Sequence, residues 1–377
     1  MLSLTVGSGV VAFFSICIAI AFLRVLMVTR WLTAKNPIDD SPRCVDVIIP
    51  ARNEEQDLRH AVESIQKQRS VSIRVVIIND HSTDETASIA KSLAESDDRI
   101  GVINDPTLRD GWFGKANAMQ HGLAATSQSL LIFTDADVLH HRDSFAEAIL
   151  EMERREDHFL SLFPTVELES FWENVLVPHL MIAGMVAFLH RRLEDPRSPH
   201  AVAAGAFILV QRDALEAIGG LESVKNEALD DVKLAQRIKQ NGYQTGFCFA
   251  PDLIRVRLFK SNRDAFWGFT KNILSPFNPV WLAIPFMFLP IFVYASPLLA
   301  IAAGLYQHET LMVAIGIFAY VTQAIVLVPA TRLCRLKWYK ALCFPIAALP
   351  ITCCIIKAYY HHYIDRGVKW RGRVMQK

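Results

Sequence analysis

From Asn272 to Gln307 the chain runs for 36 residues without a formal charge. A helix needs about 20 apolar residues to cross a bilayer, since each adds only about 1.5 Å. A run this long is hard to bury in an ordinary soluble core, so part of the chain is suited to lipid. Pro276, Pro279, Pro285, Pro290 and Pro297 interrupt it, and the next uncharged run, Thr310 to Thr331, adds 22 residues. Two spans are expected, over roughly 280–304 and 310–330. A third apolar segment, Ala341 to Ile356, has 16 residues and contains Pro345 and Pro350. It reads as re-entrant or interfacial. At the other end, Thr5 to Val28 carries one charge, Arg24. Met1 to Gly7 lacks the basic residue of a cleaved signal peptide, so this segment reads as an anchor.

Basic residues orient these segments. Arg24, Arg30 and Lys35 follow or close the anchor, and Arg332, Arg335, Lys337 and Lys340 separate the last two apolar segments. The positive-inside rule puts both groups on the cytoplasmic side. Three regions follow: an N-terminal transmembrane anchor over 1–34, a cytoplasmic domain over 35–263, and a C-terminal membrane region over 264–377. The last holds two to three hydrophobic segments and a basic tail. A net charge of +1 excludes a general nucleic-acid polycation. The seven cysteines are scattered without a CxxC pair, which argues against a disulfide scaffold or a structural zinc site. Few spans and no embedded carboxylates disfavour a transporter.

The 35–263 region alternates strands and helices. Val45 to Pro50, Arg74 to Ile78, Gly101 to Asn104 and Leu130 to Thr134 read as strands. Asn53, with Gln56 three residues on, reads as the N-cap of a helix reaching about Gln68, and Ser82 to Glu85 as a capping box opening another. Asn117 to Ala125 reads as a helix. This pattern predicts an α/β domain with a mostly parallel sheet, in which ligands bind at the carboxyl ends of strands. Pro50 to Asn53, Asn79-Asp80 and Asp135 to Asp137 fall at those ends. No GxGxxG follows the first strand, Gly114-Lys115 lacks the phosphate-loop spacing, and no GxSxG or HExxH is present.

Asp135 and Asp137 leave an apolar strand one residue apart. In extended chain they face the same side and suit a hard divalent cation completed by phosphate and water. A solvated turn is the plain alternative. Asp80 suits a nucleoside hydroxyl or a helix cap, and Asp230-Asp231 suits chemistry or a helix dipole. Gly111-Trp-Phe-Gly-Lys115 reads as a loop suited to a diphosphate. Each element alone is weak.

Their order is specific. Val47 to Glu55, Asn79 to Asp84, Gly111 to Asn117, Thr134 to Asp137 and Leu229-Asp-Asp231 together resemble family 2 glycosyltransferases over Val45 to about Pro251. The chain is most similar to the hopanoid-associated glycosyltransferases and their carotenoid-modifying relatives, which share the terminal pattern seen at Trp370 to Arg373. The resemblance implies a GT-A fold, a nucleotide-sugar donor, most often UDP-linked, and Mg2+ or Mn2+. It implies that Pro50, Arg52, Glu54, Asp80, Lys115 and Asp135 bind the nucleotide-sugar and that Asp137 binds the metal. Asp231 is then the catalytic base of an inverting transfer, with Gly205 and Asp230 on the acceptor side. The stretch after that base, Asn262 to Asn272, lacks the QxxRW sequence of processive members, so polymer synthesis is not expected.

The expected activity is transfer of a sugar to a hydroxyl of a membrane lipid, such as a hopanoid, another polyisoprenoid or a glycerolipid. Polyprenyl phosphate as acceptor, or a nucleotidyltransferase on a similar fold, is the alternative. The expected location is the inner, cytoplasmic membrane, as a multi-pass protein. Phe171-Trp172 and the apolar stretch Val175 to Leu189 read either as a helix in the lipid interface or as a buried core helix.

Overall fold

The computed structural model describes residues 2–35, 43–188, 193, 195, 197–227, 230–259, 261–272, 289–363, 368–370 and 373–375. Residues 280–288 of the first expected C-terminal span, Leu229 and residues 371–372 of the quoted motifs lie outside these. The chain forms two compact units, one of residues 28–166 and 191–257, the other of residues 1–27, 167–190 and 258–377.

The first unit is built on a seven-stranded sheet. Its strands are β1 (Arg43–Ala51), β2 (Val71–Asn79), β3 (Ile100–Asn104), β4 (Leu130–Thr134), β6 (Phe159–Phe163), β8 (Phe207–Gln211) and β9 (Thr245–Phe249), in the order β3-β2-β1-β4-β8-β6-β9. Four of the six pairings are parallel; β8 runs antiparallel to both its neighbours. Val47, Ile48 and Ile49 in β1 and Ile77 and Ile78 in β2 have no exposed surface. Strands this continuously apolar are stable only when both faces are covered. Helices α2 (Leu58–Gln66), α3 (Thr86–Ser96) and α5 (Ser144–Arg155) contribute to the core on one face. Helices α4 (Gly114–Ala124), α7 (Arg212–Ala217) and α8 (Asp230–Gln240) contribute to the core on the other. The α/β, mostly parallel expectation is borne out. A small second sheet joins β5 (Val138–His140), β10 (Ile254–Val256) and β7 (Thr165–Val166).

Residues 30–32 belong to this unit. Phe249, which ends β9, donates its N–H to the Arg30 carbonyl and accepts from Leu32 N–H, both at 2.8 Å. The Trp31 ring packs 5.2 Å from that of Phe249.

Two cap assignments differ from expectation. Asn53 lies at φ +55° and is not a cap; its carboxamide oxygen accepts from Thr83 N–H at 2.8 Å, and its own N–H donates to Ser82 Oγ. No Ser82–Glu85 box forms. Instead Asp84 accepts from Thr86 N–H and from Glu55 N–H, while Glu85 N–H donates to the Glu55 carboxylate. The turns after β1 and β2 therefore clasp each other, a use of these side chains that local spacing does not reveal.

The second unit is mainly helical, with one two-stranded antiparallel ribbon, Val368–Trp370 against Arg373–Met375. It contains α1 (Leu2–Val28), α6 (Phe171–Phe188), α9 (Asn262–Asn272), α10 (Leu289–Tyr306), α11 (Thr310–Leu333), a 3-10 helix (Trp338–Ala347) and α12 (Ala348–Tyr363). Among the described residues, four stretches are long and apolar enough to cross a membrane: Val11–Val28, Leu289–Tyr306, Thr310–Leu333 and Trp338–His361. The last differs from the expected short segment. The uncharged run ends at Lys357, but the helix continues through it, with the ammonium 5.7 Å from the centre of the Trp267 ring. Helix α6 packs inside this unit: Leu176 is buried in a cluster with Phe269 of α9 and Ile351 and Ile355 of α12. His179 stacks 5.1 Å from Tyr294.

Candidate active site

Parallel pairing brings the ends of β1, β2 and β4 side by side, with Ala51 beside Asn79 and Ile48 beside Phe133. Polar residues placed just after these ends converge without any helix having to carry them. The pocket at this edge is lined by Pro50, Phe133, Thr134 and Asp135 from the sheet and by Lys115 and Met119 from α4. Gly205, Ile208, Leu221, Val224, Asp230, Asp231 and Leu234 complete it. Its floor is apolar and its charged groups are few, so each acts in a medium less polar than water.

Lys115 stands in the first turn of α4, not in the preceding loop, and donates to Asp135 Oδ1 at 2.6 Å. The rest of the Gly111–Lys115 motif serves shape. Gly111 takes φ +75°, and Trp112 turns inward to a buried cluster with Met119, Leu221 and Val224. Asn117 closes the turn by accepting from Arg109 N–H and donating to the Thr107 carbonyl. Burial opposes the charge on Lys115, but Asp135, Asp230 and Asp231 outweigh it and raise the ammonium above its ordinary range. Lys115 is a fixed cation.

Asp230 and Asp231 open α8, inside its first turn. Burial, reinforced by Asp230, pushes the Asp231 carboxyl up to about 6, and burial also raises that of Asp230. Gly205 marks where these groups meet. A methyl group on it would stand 3.2 Å from Lys115 Nζ, 3.5 Å from Asp231 Oδ2 and 3.8 Å from Asp135 Oδ2.

Arg52, Glu54, Asp80 and Asp137 do not line this pocket. Arg52 reaches Asp80 at 3.5 Å, and Asp80 also contacts His81 Nδ1 at 3.1 Å. Asp137 lies in a tight turn between β4 and β5, so the same-side reasoning for extended chain does not apply to it. It is nonetheless coupled to Asp135. Burial, then Asp135 and Glu54, push its carboxyl up to about 7. A cation beside this half-buried carboxyl would relieve the repulsion from its like-charged neighbours. Among the described residues no three His, Cys, Asp or Glu side chains form a closed metal cage. Asp135 and Asp137 offer carboxylate oxygens, donors that suit a hard divalent ion whose other ligands are diphosphate and water.

Sequence reasoning missed the support behind Gly205. Thr134 Oγ donates to the Ala206 carbonyl at 2.8 Å and lies 3.1 Å from His140 Nε2. Since the single hydroxyl proton goes to Ala206, His140 must donate from Nε2. Its Nδ1 is buried without a partner, and burial pushes the ring down to about 3, so it stays neutral. Ser161 Oγ, fully buried, accepts from Ala204 N–H at 2.8 Å. Two buried hydroxyls thus hold both flanks of Gly205. Only the Thr134 that precedes Asp135 hinted at this; nothing in the sequence singles out His140. Thr134→Val keeps the shape but strands two polar groups. We expect kcat to fall about 10- to 100-fold in steady-state assays with the donor KM changed far less, because small misplacements at a reacting centre are that costly.

Residues 46–219 match the family model described as glycosyl transferase family 2. Over 346 residues, 88% of each chain, the sequence is 27% identical to a 4,4'-diaponeurosporenoate glycosyltransferase of Staphylococcus aureus strain MRSA252. The counterpart from the bovine strain RF122 is 27% identical over 379 residues, 97% of this chain and 95% of that one. Among solved structures, a mannosyltransferase from Pyrobaculum calidifontis, in complex with GDP-Man and Mn2+, superposes with a TM-score of 0.50. It is 20% identical and covers 97% of this chain and 98% of its own.

Proposed function

We propose that this family 2 glycosyltransferase of GT-A fold is a membrane enzyme that moves a sugar from a nucleotide-sugar to a lipid acceptor. The observation that carries the reading is the convergence on Gly205 of a fixed cation, Lys115, and a half-buried carboxylate, Asp231. Transfer from a sugar diphosphate needs a positive group where the leaving charge grows and a base where the acceptor loses its proton.

In this reading Asp231 takes the proton from the acceptor hydroxyl as that oxygen attacks the anomeric carbon, and a single displacement inverts it. Lys115 and Asp135 hold the donor, Pro50, Arg52, Glu54 and Asp80 receive the nucleotide, and Asp230 and Gly205 face the acceptor. Asp137, with Asp135 beside it, would hold Mg2+ or Mn2+, which supplies charge neutralisation for the diphosphate. The four apolar stretches and the carotenoid named for the S. aureus relatives support a lipid acceptor of polyisoprenoid type, a hopanoid included, and a UDP-linked donor fits the same chemistry. The inner-membrane, cytoplasm-facing placement rests on the basic residues flanking the anchor.

Detergent-solubilised protein with Mn2+, offered UDP- and GDP-sugars with and without extracted membrane lipid, tests this. Lipid-dependent release of one nucleoside diphosphate is expected. Release of pyrophosphate would point to a nucleotidyltransferase instead. The pH profile gives a second check. Asp231 acts as a base only when ionised, and its raised value near 6 sets where that happens. We expect kcat/KM to rise about tenfold per pH unit below that point and to level above it. A flat profile there would count against Asp231.

A further inference from the structure

The turn between α11 and the 3-10 helix has no part in the reaction proposed above, yet it is the most basic stretch of the helical unit's described residues. Arg332, Arg335, Lys337 and Lys340 fall within nine residues that contain no carboxylate, and all four are exposed. Their backbone forms a hydrogen-bonded turn. Arg335 takes φ +49°, and Leu336 N–H bonds back to the Thr331 carbonyl at 2.8 Å. Arg335 lies 4.0 Å from Glu167, at the outer limit of an ion pair and partly open to water, where such a contact is worth little.

The residues leading into the turn on both sides are apolar and exposed. On α11 these are Ile317, Phe318, Val321 and Ile325. On the following helices, coming back toward the turn, Leu349, Ile346 and Leu342 give way to Tyr339 and Trp338, the last 65% exposed. Lys337 Nζ lies 6.0 Å from the centre of the Tyr339 ring. Aliphatic, then aromatic, then cationic is the order of a phospholipid from acyl chain through glycerol to phosphate.

We propose that the Arg332–Lys340 turn is a binding surface for anionic phospholipid headgroups. A phosphate oxygen takes charge-assisted hydrogen bonds from Arg and Lys. Each such cation near an anionic leaflet favours association about fivefold. A preference for one side of the bilayer alone would require the charges but not selection among headgroups, and that difference is measurable.

Full-length protein is placed in vesicles containing bromine-labelled lipid, and tryptophan quenching is compared for brominated phosphatidylglycerol and brominated phosphatidylcholine at equal mole fraction. We expect roughly twofold stronger quenching by the anionic lipid. The excess should vanish in Trp338→Phe, which locates it. It should also vanish when all four cations become Gln, while quenching by phosphatidylcholine persists and shows that the variant still inserts. Wild-type protein at about 0.5 M salt should lose the excess as well, without any substitution. Equal quenching by the two lipids in the wild type, or an excess that survives either the four substitutions or Trp338→Phe, overturns the proposal.

Discussion

Asp231→Asn is expected to lower turnover about 10²- to 10⁴-fold while the protein still binds the nucleotide, the range for removing a general base. The substitution keeps size and hydrogen-bonding shape but cannot accept a proton. It also removes a charge whose carboxyl burial already holds up near 6, so the fold has little reason to suffer. Lys115 keeps Asp135 as its 2.6 Å partner in the variant and should remain a cation. Nucleoside diphosphate release by purified variant and wild type, with nucleotide affinity measured separately, decides it. Near-normal turnover would mean that the acceptor arrives already ionised or that the base lies elsewhere. A parallel loss of nucleotide affinity would assign Asp231 to donor binding.

Asp137→Asn should be nearly as damaging to activity, by about 10²- to 10³-fold, yet it should stabilise the metal-free protein. The ordinary aspartate value is 3.8 and the folded value is about 7, so ionising Asp137 opposes folding. For this group stability is greatest below 3.8, declines as pH rises, and is lost in full above about 7. The cost amounts to roughly 2–4 kcal/mol at about 1.4 kcal/mol per unit. At pH 8 without metal, the variant should therefore unfold several degrees above the wild type, and at about pH 4 the gap should close. Mn2+ should raise the wild-type midpoint and leave the variant where it is. A variant less stable than wild type at pH 8, or one that keeps the Mn2+ shift, would move the metal to other oxygens.

Much of the fold and of this site was legible because a parallel sheet turns sequence adjacency into spatial adjacency. Once β1, β2 and β4 were read as strands, Pro50, Asp80 and Asp135 had to share an edge. Lys115 was legible as chemistry but not as geometry, since nothing local says that α4 begins at Gly114. Gly205 needed the long-range return of β8 beside β4 to become part of the pocket. Asn53 and Ser82–Glu85 misled for the same reason: each satisfies a local capping rule, but the partner it takes is about 30 residues away. His140 was invisible, because its role exists only through the Thr134 hydroxyl.

The pairing of residues 30–32 with Phe249 bears on self-association. A sheet that ends in an unpaired strand offers its backbone to any other chain, and β9 is such an end. Arg30 and Leu32 occupy both backbone groups of Phe249, and Trp31 lies across its ring. The first residues after α1 are thus more than a tether: they guard the Phe249 end of this edge, where a strand from a neighbouring copy could otherwise pair. Trimming the chain beyond Arg30 to obtain a soluble catalytic unit would strip that guard and leave an adhesive edge in its place.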